Sequence, residues 1–505
     1  MRTDSGTKTA TPSVLLFVPL AAEGVALMPK IVFIEPRAPN LHIFSQFPLP
    51  RLGVLILGTM MEQRGWDVDV YVEDIRRIDF SAVAGADLVG ISTITSTAPR
   101  AYALADKVRA GGIPVLMGGP HVTFLADEAL EHADFVFRGE GERPLMAFID
   151  AWEAGRDPAG TPNLSFRAAD GRIRHNPALP AEDNLDAIPF PDLSLLRPDP
   201  RRRKFPPPIP VQTSRGCPFA CSFCSVTGMF GRKYRFRSTE NVIEELRRYD
   251  GSKNSIFFYD DNFAADRDRT KELLQAMIRE GFRFPWTTQV RADIARDPEL
   301  VGLMREAGCH TVYIGFESVN PRSLAGMKKK QTVADLVRAA RVLRRNRIGI
   351  HGMFVLGFDE DDWTSVKETV KFAKRSRLST TQFLILTPLP GSEFYQRMSS
   401  DNRLLFHDWA LYDAHHVVFR PARFSLFDLQ KAQMYAHKKF YSLKQVLRKV
   451  LAGQWLGVGV AHYARKLNRT WAKRNRTFLS VVALLRPKPG ARISVDYRED
   501  VSLDL

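Results

Sequence analysis

Three of the chain's four cysteines lie within eight residues, in the spacing Cys217-x3-Cys221-x2-Cys224. Glycine and proline stand beside the first of them, so the thiols share one tight loop directly after a predicted buried strand. Three thiolates on one loop can hold three corners of a cubane iron–sulfur cluster and leave the fourth iron open to a non-protein ligand. The motif therefore predicts an iron–sulfur site with one open iron.

The fourth cysteine, Cys309, lies between a predicted helix and a predicted strand, and we expect it to be a core thiol. A structural zinc site needs four ligands in two close pairs, which this spacing does not offer. Three unrelated buried thiols would not be expected to gather in a loop of glycine and proline. Four cysteines are also too few for a secreted fold of 505 residues held by disulfides.

Six strand–helix units surround and follow the cysteine loop. The predicted strands cover residues 210–213, 255–259, 286–290, 311–316, 348–355 and 381–386. Their alternation with predicted helices predicts a (β/α)6 partial TIM barrel over residues 210–395, with its site at the carboxyl ends of the strands. Before it, a hairpin signal at Asp170-Gly171 and nine prolines between Pro180 and Pro210 predict a hairpin and an extended linker over residues 156–209.

With an aromatic residue, Phe223, before its last cysteine, the loop resembles the signature of the radical S-adenosylmethionine (SAM) enzymes. The resemblance covers about residues 210–388. It implies a [4Fe-4S] cluster on Cys217, Cys221 and Cys224 whose open iron chelates SAM, and reductive cleavage of SAM to a 5′-deoxyadenosyl radical. With one cysteine left over, a second cluster is not expected, and neither is membership of the methylthiotransferases.

The same resemblance implies SAM contacts at the other strand ends. Phe223 lies beside the cluster, and Tyr259, Asp260 and Asp261 follow the second strand, where a carboxylate would receive the methionine ammonium. The choice between the two aspartates stays open, because the family's Gly-Gly-Glu pattern is absent. The remaining candidates are Gln289 and Arg291 after the third strand, Glu317 after the fourth, and Gly357 after the fifth. For each, the alternative is a capped loop or a surface salt bridge.

Residues 28–155 alternate short apolar strands with amphipathic helices, which predicts a Rossmann-like, doubly wound parallel sheet. In such sheets ligands bind beyond the carboxyl ends of the strands. Small and polar residues stand at these ends, so a large ligand could approach the backbone; alternatively, they only form tight turns. The candidates are Ser92, Thr93, Ser96, Gly118, Gly119, Gly139, Glu140, Gly141 and Glu142.

A sheet of this kind ahead of a radical SAM barrel resembles the cobalamin-binding branch of the superfamily, which implies cobalamin between the two domains. Many cobalamin domains carry Asp-x-His-x-x-Gly, whose histidine ligates cobalt. The nearest match runs from Asn40 to Ser45 with His42 at its centre, and it lacks both the aspartate and the glycine. His42 is therefore a weak candidate ligand, with a loop histidine as the alternative.

Within this branch, residues 213–217, 232–237 and 386–391 resemble methyltransferases acting on unactivated carbon and also the anaerobic magnesium-protoporphyrin ester cyclase. We expect methylation of a small molecule, with oxidative cyclisation or radical rearrangement as the alternative. Either reaction needs an external one-electron reductant such as flavodoxin or ferredoxin. A non-catalytic electron carrier is the alternative from another class, although such a protein normally supplies all four cluster ligands.

The net charge of +16 is concentrated near the carboxyl terminus, where residues 428–476 contain twelve Lys plus Arg and one Asp. We expect residues 396–505 to be helical and basic, capping the barrel, contacting an anionic membrane surface, or, least expected, binding nucleic acid. Residues 1–27 read as a disordered extension or a misassigned start, with a weak signal peptide as the alternative. No apolar run of about 18 residues occurs, so we expect a cytoplasmic protein, with membrane association as a candidate.

Overall fold

The computed structural model describes residues 28–40, 49–197, 207–252, 254–451 and 455–485. Within them the chain forms two mainly parallel sheets flanked by helices, followed by further helices near the carboxyl terminus. The predicted α/β architecture is confirmed. The predicted extension 1–27, the candidate ligand His42, and residues 198–206 and 486–505 lie outside the described residues.

The first sheet has seven strands in the order β2-β1-β3-β4-β5-β6-β7. The strands β1 to β5 are parallel, and most of their residues are buried because both faces of the sheet are covered. The bounds are β1 (Lys30–Glu35), β2 (Asp67–Val72), β3 (Leu88–Ser92), β4 (Val115–Gly118), β5 (Phe135–Phe137), β6 (Leu164–Arg167) and β7 (Ile173–His175). The helices are α1 (Leu52–Gln63), α2 (Phe80–Ala84), α3 (Ala98–Ala110), α4 (Pro120–Phe124), α5 (Ala126–Ala129) and α6 (Glu142–Glu153).

The hairpin β6–β7, predicted as part of a linker, extends the first sheet instead. Strand β6 pairs antiparallel with β5, and β7 pairs with β6. An edge strand such as β5 would otherwise leave a row of backbone groups without partners. The sheet therefore continues past residue 155, where composition placed the end of the first domain. Residues 193–196 form a short 3-10 turn whose leucines join the core of the same sheet.

The second sheet is an open barrel of six parallel strands in the order β8-β11-β12-β13-β14-β15. The bounds are β8 (Ile209–Val211), β11 (Ile256–Phe258), β12 (Trp286–Val290), β13 (Cys309–Glu317), β14 (Gly349–Leu356) and β15 (Thr380–Ile385). A two-residue hairpin, β9 (Ser214–Arg215) with β10 (Arg235–Phe236), flanks the cysteine loop. The helices are α7 (Val226–Phe230), α8 (Thr239–Arg247), α9 (Arg267–Glu280), α10 (Pro298–Glu306), α11 (Pro321–Gly326), α12 (Val333–Arg345), α13 (Trp363–Arg375) and α14 (Glu393–Ser400).

The predicted helices near the carboxyl terminus are α15 (Leu426–Phe440), α16 (Leu443–Leu451), α17 (Trp455–Arg474) and α18 (Arg476–Leu484). Helix α15 covers the last strand of the barrel. The Tyr441 hydroxyl donates to the carbonyl of Thr381 (2.8 Å) and accepts from its amide (2.9 Å). Phe440 and Tyr441 are buried in the barrel's core, so these aromatic residues face the barrel and not solvent. Within the described residues, no helix combines the length and apolarity needed to cross a bilayer.

Candidate cofactor site

The cysteine loop lies between β9 and α7, at the carboxyl ends of the barrel strands. Cys217, Cys221 and Cys224 are free, half-buried thiols. Backbone hydrogen bonds tie the loop to two distant segments: the Ser222 amide donates to the Met327 carbonyl (3.2 Å), and the Ser222 carbonyl accepts from the Phe394 amide (2.8 Å). The loop is thus held in place by the barrel itself and not by its short flanking elements alone.

Burial raises the pKa of all three loop thiols, that of Cys224 to about 12. The guanidinium of Arg291 and the ammonium of Lys329 oppose this effect at Cys221. A raised pKa keeps a free thiol protonated, but a thiol that coordinates a metal loses its proton because the cation replaces it. Among the described residues no group of three His, Cys, Asp or Glu surrounds a position for a single metal ion. In a cubane cluster each thiolate binds a different iron atom, so the three sulfur atoms need not surround a single point. The cysteine loop therefore fits an iron–sulfur cluster.

Gly216, immediately before the first cysteine, has a backbone conformation that residues with a side chain rarely adopt. Its φ is +86°, and a Cβ atom built on it would lie 2.4 Å from the Lys233 carbonyl oxygen. Any other residue here would have to push the cysteine loop away from the segment that leads into β10. The glycine of the motif therefore lets the loop lie against its neighbour.

The adjacent residues Asp260 and Asp261 have different surroundings. Asp260 is fully buried and accepts hydrogen bonds from the Thr213 amide (3.0 Å), the Thr213 hydroxyl and the Ser214 hydroxyl. Asp261 is exposed in the mouth of the barrel, where surrounding protein and the charge of Asp260 raise its pKa to about 7. Asp260 thus holds the strand that leads into the cysteine loop, and Asp261 is the carboxylate left facing the mouth.

The candidate residues after the third strand of the barrel contact the cysteine loop and the end of the second strand. Gln289 is half-buried, and its amide nitrogen donates to the Asp260 carbonyl (3.4 Å). The Arg291 guanidinium stacks 3.6 Å over the ring of Phe219, within the cysteine loop, and donates to the Lys329 carbonyl (2.5 Å). Arg291 therefore positions the loop beside Cys221. Tyr259 is half-buried near Asp261.

Glu317 is buried in an ion pair with Lys329, whose ammonium also donates to the Gly315 carbonyl (2.6 Å). The pair sits at a β-bulge where the register with β14 shifts, and Glu317 has a φ of +60°. Such strain is typical of functional sites. Lys329 was not predicted from the sequence, where its only signal is the run of three lysines from Lys328 to Lys330.

The turn that follows the fifth strand contains Gly357 and contacts Phe223. Gly357 is buried with a φ of +111°, and its amide donates to the Asp361 carboxylate (3.0 Å), as does that of Phe358 (3.1 Å). The Phe358 ring contacts Phe223 edge to face, with centroids 6.0 Å apart. This turn therefore braces the aromatic residue of the cysteine motif.

At the first sheet, the small residues bring the ends of β3 and β4 together. A Cβ atom on Gly119 (φ +100°) would lie 2.5 Å from the Thr93 carbonyl oxygen. Thr93 is fully buried with its hydroxyl 3.0 Å from that of Thr97, and Ser96 is also buried, so these side chains serve local packing. Around Gly118, in contrast, a Cβ atom would meet nothing within 4 Å. Ser92 is half-buried beside it.

The loop after β5 joins the two domains. Glu140 and Glu142 each receive one end of the Arg215 guanidinium, at 2.9 and 2.6 Å, and Glu140 also pairs with Arg235. Arg215 stands two residues before the first cysteine of the motif. The two carboxylates predicted to contact a ligand therefore form a largely buried ionic link between the first sheet and the cysteine loop.

A cavity of about 390 Å³ opens beside this link. It lies beyond the carboxyl end of β5, and Gly139, Glu140, Leu179 and Met229 are among its lining residues. The side chain of Met229 comes from the barrel, so both domains contribute. Gly141 lies one residue before α6 and is not among these lining residues, and a Cβ atom built on it would lie 3.5 Å from Leu57 Cδ1.

In comparisons with known proteins, residues 211–373 match the radical SAM superfamily and residues 44–149 match the B12 binding domain. The chain is 33% identical over 413 residues to an uncharacterized methyltransferase of Pyrococcus horikoshii, covering 79% of this chain and 89% of that protein. Identity to bacteriochlorophyllide d C-12(1)-methyltransferase of Chlorobaculum tepidum is 31% over 438 residues, covering 84% and 91% of the two chains.

The anaerobic magnesium-protoporphyrin IX monomethyl ester cyclase of Rubrivivax gelatinosus is 28% identical over 379 residues, covering 72% of this chain and 67% of the cyclase. Among solved structures, the radical SAM methyltransferase TsrM from Kitasatospora setae, with cobalamin and a [4Fe-4S] cluster bound, superposes with a TM-score of 0.62. Sequence identity to TsrM is 19%, and the superposition covers 75% of this chain and 76% of TsrM. At this identity, the likeness shows a shared fold.

Proposed function

Because the chain belongs to the cobalamin-binding radical SAM enzymes, we propose that it methylates an unactivated carbon of a small molecule. The observation that carries this proposal is that two relatives, at 33% and 31% identity, are named methyltransferases, and each is matched over about nine-tenths of its length. Oxidative cyclisation is the second candidate, because the cyclase relative matches over two thirds of its own length. A simple electron carrier would have no use for a second cofactor domain.

Residues near the carboxyl ends of the strands are those that would hold the cofactors of the family. When bound, a [4Fe-4S] cluster and SAM would together supply the 5′-deoxyadenosyl radical, and cobalamin would supply the methyl group. Cys217, Cys221 and Cys224 would hold the cluster. The cavity beside Gly139, with the open backbone at Gly118, would receive part of cobalamin between the two domains. An external one-electron reductant would dock on the protein surface, apart from these cofactor sites.

Aromatic side chains line the inner face of the barrel beneath the cysteine loop. Phe257 contacts Tyr259 and Tyr313 edge to face, with centroids 6.2 and 5.6 Å apart. The opposite face of the same strands carries buried residues such as Phe258 and Val312, which pack under the outer helices. An aromatic lining suits an apolar or flat substrate and keeps water away from a radical.

The discriminating experiment uses anaerobically reconstituted protein with SAM, hydroxocobalamin and a chemical reductant. We expect 5′-deoxyadenosine to be released, together with S-adenosylhomocysteine from the donation of a methyl group to cobalamin. Release of 5′-deoxyadenosine without S-adenosylhomocysteine would favour cyclisation. If protein with a confirmed cluster releases neither product, the result would contradict an enzymatic role. Comparing the metabolites of cells with and without the gene would then identify the substrate.

The unequal surroundings of Asp260 and Asp261 predict unequal effects of the same substitution. We expect Asp261→Ala to fold normally and to bind SAM about 10- to 100-fold more weakly, since one hydrogen bond to a charged group contributes about 1.5–3 kcal/mol. Asp260→Ala should instead lower the free energy of unfolding by about 3 kcal/mol, because the Thr213 amide and Ser214 hydroxyl lose their buried acceptor. Titration calorimetry with SAM and thermal unfolding separate the two effects, and the opposite pattern would make Asp260 the ligand.

A further inference from the structure

The end of the barrel opposite the cysteine loop has a strongly basic surface. Because the outer helices run antiparallel to the strands, their last turns gather at the amino-terminal ends of the strands. Six exposed basic residues from these last turns, from the segment just after α13 and from α16 form what we call the basic surface: Arg344, Arg345, Arg375, Arg377, Lys444 and Arg448. In the described part of the chain, none of the six forms a salt bridge with a carboxylate.

The position of α16 against this end is fixed by contacts on its inner side. The Lys449 ammonium donates to the Ser379 carbonyl (2.9 Å), one residue before β15 begins. Burial and the nearby charges of Lys439, Arg448 and Lys444 lower the pKa of Lys374 in the last turn of α13. Positive charges from three separate helices are therefore crowded together here without compensation.

The outer side of α16 is apolar. Leu443, Leu447 and Leu451 recur every four residues and are 69%, 58% and 79% exposed. They form one stripe, and Lys444 and Arg448 lie beside it at the next position around the helix. Large leucines this exposed are few in the described residues, and three of them fall on this one helix face. A stripe of apolar residues flanked by cations is the pattern of a helix that lies in a membrane interface.

We propose that the basic surface and the leucine stripe of α16 together bind the surface of a bilayer containing anionic phospholipid. The leucines would enter the boundary between headgroups and acyl chains, and the six basic residues would contact the anionic headgroups. This surface combines the ends of α12 and α13 with α16, so it is wider than the basic carboxyl-terminal region alone. It lies away from the carboxyl ends of the strands, where the cofactor site is.

Two other occupants fit this surface less well. A reductant bound here would be separated from the cysteine loop by the length of the barrel, about 25 Å for a strand of eight residues such as β14. Nucleic acid would satisfy the arginines and lysines, but the three exposed leucines of α16 offer nothing to a phosphate backbone. A bilayer satisfies both parts of the surface at once.

The test is flotation of the full-length protein with phosphatidylcholine vesicles, with and without phosphatidylglycerol. We expect binding to the anionic vesicles only, with a large loss when the ionic strength rises from about 0.1 M to about 1 M, since the Debye length falls from about 10 Å to about 3 Å. No binding to anionic vesicles, or equal binding to neutral ones, would overturn the proposal.

Charge reversal locates the surface. In the variant Arg375→Glu/Lys444→Glu/Arg448→Glu we expect vesicle affinity to fall more than 100-fold, because each basic residue near an anionic membrane contributes about a fivefold factor. The control Arg172→Glu/Arg322→Glu/Arg423→Glu changes net charge equally at exposed positions elsewhere and should lose far less. Equal losses in both variants would mean that only net charge matters and would contradict the assigned surface.

A second pair of variants tests the leucine stripe. Leu447→Ser/Leu451→Ser should weaken vesicle binding about tenfold or more, whereas Met28→Ser/Leu484→Ser, which changes exposed apolar residues outside α16, should not. Binding of duplex DNA or RNA that survives while vesicle binding is absent would assign the surface to nucleic acid. All four variants should still release 5′-deoxyadenosine in solution, so failure here is distinct from failure of the proposed chemistry.

Discussion

Replacing Cys221 with alanine is expected to abolish the [4Fe-4S] cluster and, with it, release of 5′-deoxyadenosine from SAM. Two thiolates cannot hold three corners of a cubane, and among the described residues the one remaining cysteine, Cys309, is buried in the core at the start of β13. Iron and sulfide analysis after anaerobic reconstitution, together with the electron paramagnetic resonance spectrum of the reduced protein, measures the loss. An intact cluster signal in this variant would contradict the ligand assignment.

Cys309→Ala is the matched control, because it makes the same substitution at a cysteine outside the loop. The Cys309 side chain is fully buried, and its sulfur lies 3.8 Å from the Thr311 carbonyl oxygen. We expect this variant to keep its cluster and its activity and to lose roughly 0.5–3 kcal/mol of unfolding free energy, as buried substitutions commonly do. A folded Cys309→Ala protein without a cluster would instead make Cys309 a ligand.

Most of the fold could be predicted from the local pattern of apolar and polar residues along the chain. Short strands alternate regularly with longer helical segments in this part of the chain, so all six barrel strands were predicted close to their observed positions, Trp286–Val290 at its observed bounds. The hairpin β6–β7 was predicted from Asp170-Gly171, but its place at the edge of the first sheet was not. That placement depends on the unpaired edge of β5, which only the assembled sheet reveals.

The candidate site was predictable where spacing alone defines it, as in the cysteine loop. It was not predictable where partners are distant in sequence. The pairing of Glu317 with Lys329, and of Glu140 with Arg215, requires the folded chain. The choice between Asp260 and Asp261 depends on where β11 ends and which carboxylate turns inward, and adjacent residues of equal chemistry give no signal for this.

The ionic link between Glu140, Glu142 and Arg215 predicts the second large effect, which concerns stability. Arg215 is 6% exposed, and its removal in Arg215→Ala leaves the Glu142 carboxylate without the cation that it contacts at 2.6 Å. An uncompensated buried charge costs about 3–5 kcal/mol. We therefore expect the free energy of unfolding to fall by about that amount at neutral pH, measured by urea denaturation of the apoprotein and followed by circular dichroism.

A matched control comes from the same interface. Lys233 and Asp183 form an ion pair of 2.8 Å, but their side chains are 70% and 65% exposed. Water can replace that partner, so Lys233→Ala should leave the unfolding transition essentially unchanged. An equal loss in both variants would mean that the effect of Arg215→Ala comes from the number of charges at the interface and not from burial.

The pH dependence of the Arg215→Ala effect separates an unpaired carboxylate from simple loss of packing. In the native protein burial would raise the pKa of Glu142, but the charge of Arg215 outweighs it and lowers that pKa. The link therefore stabilises the fold above the pKa of an unfolded glutamate, about 4.3, and that stability disappears as pH falls through the lower folded value. In Arg215→Ala only the helix backbone and the charge of Arg235 still oppose burial, so we expect the folded pKa of Glu142 to lie above the unfolded one. Acid then protonates the buried carboxylate and relieves its cost. The stability difference between the two proteins should thus shrink as pH is lowered below neutrality, and the addition of Glu142→Gln to Arg215→Ala should restore part of the loss at pH 7. A difference that stays constant with pH would show that Arg215 acts through packing alone.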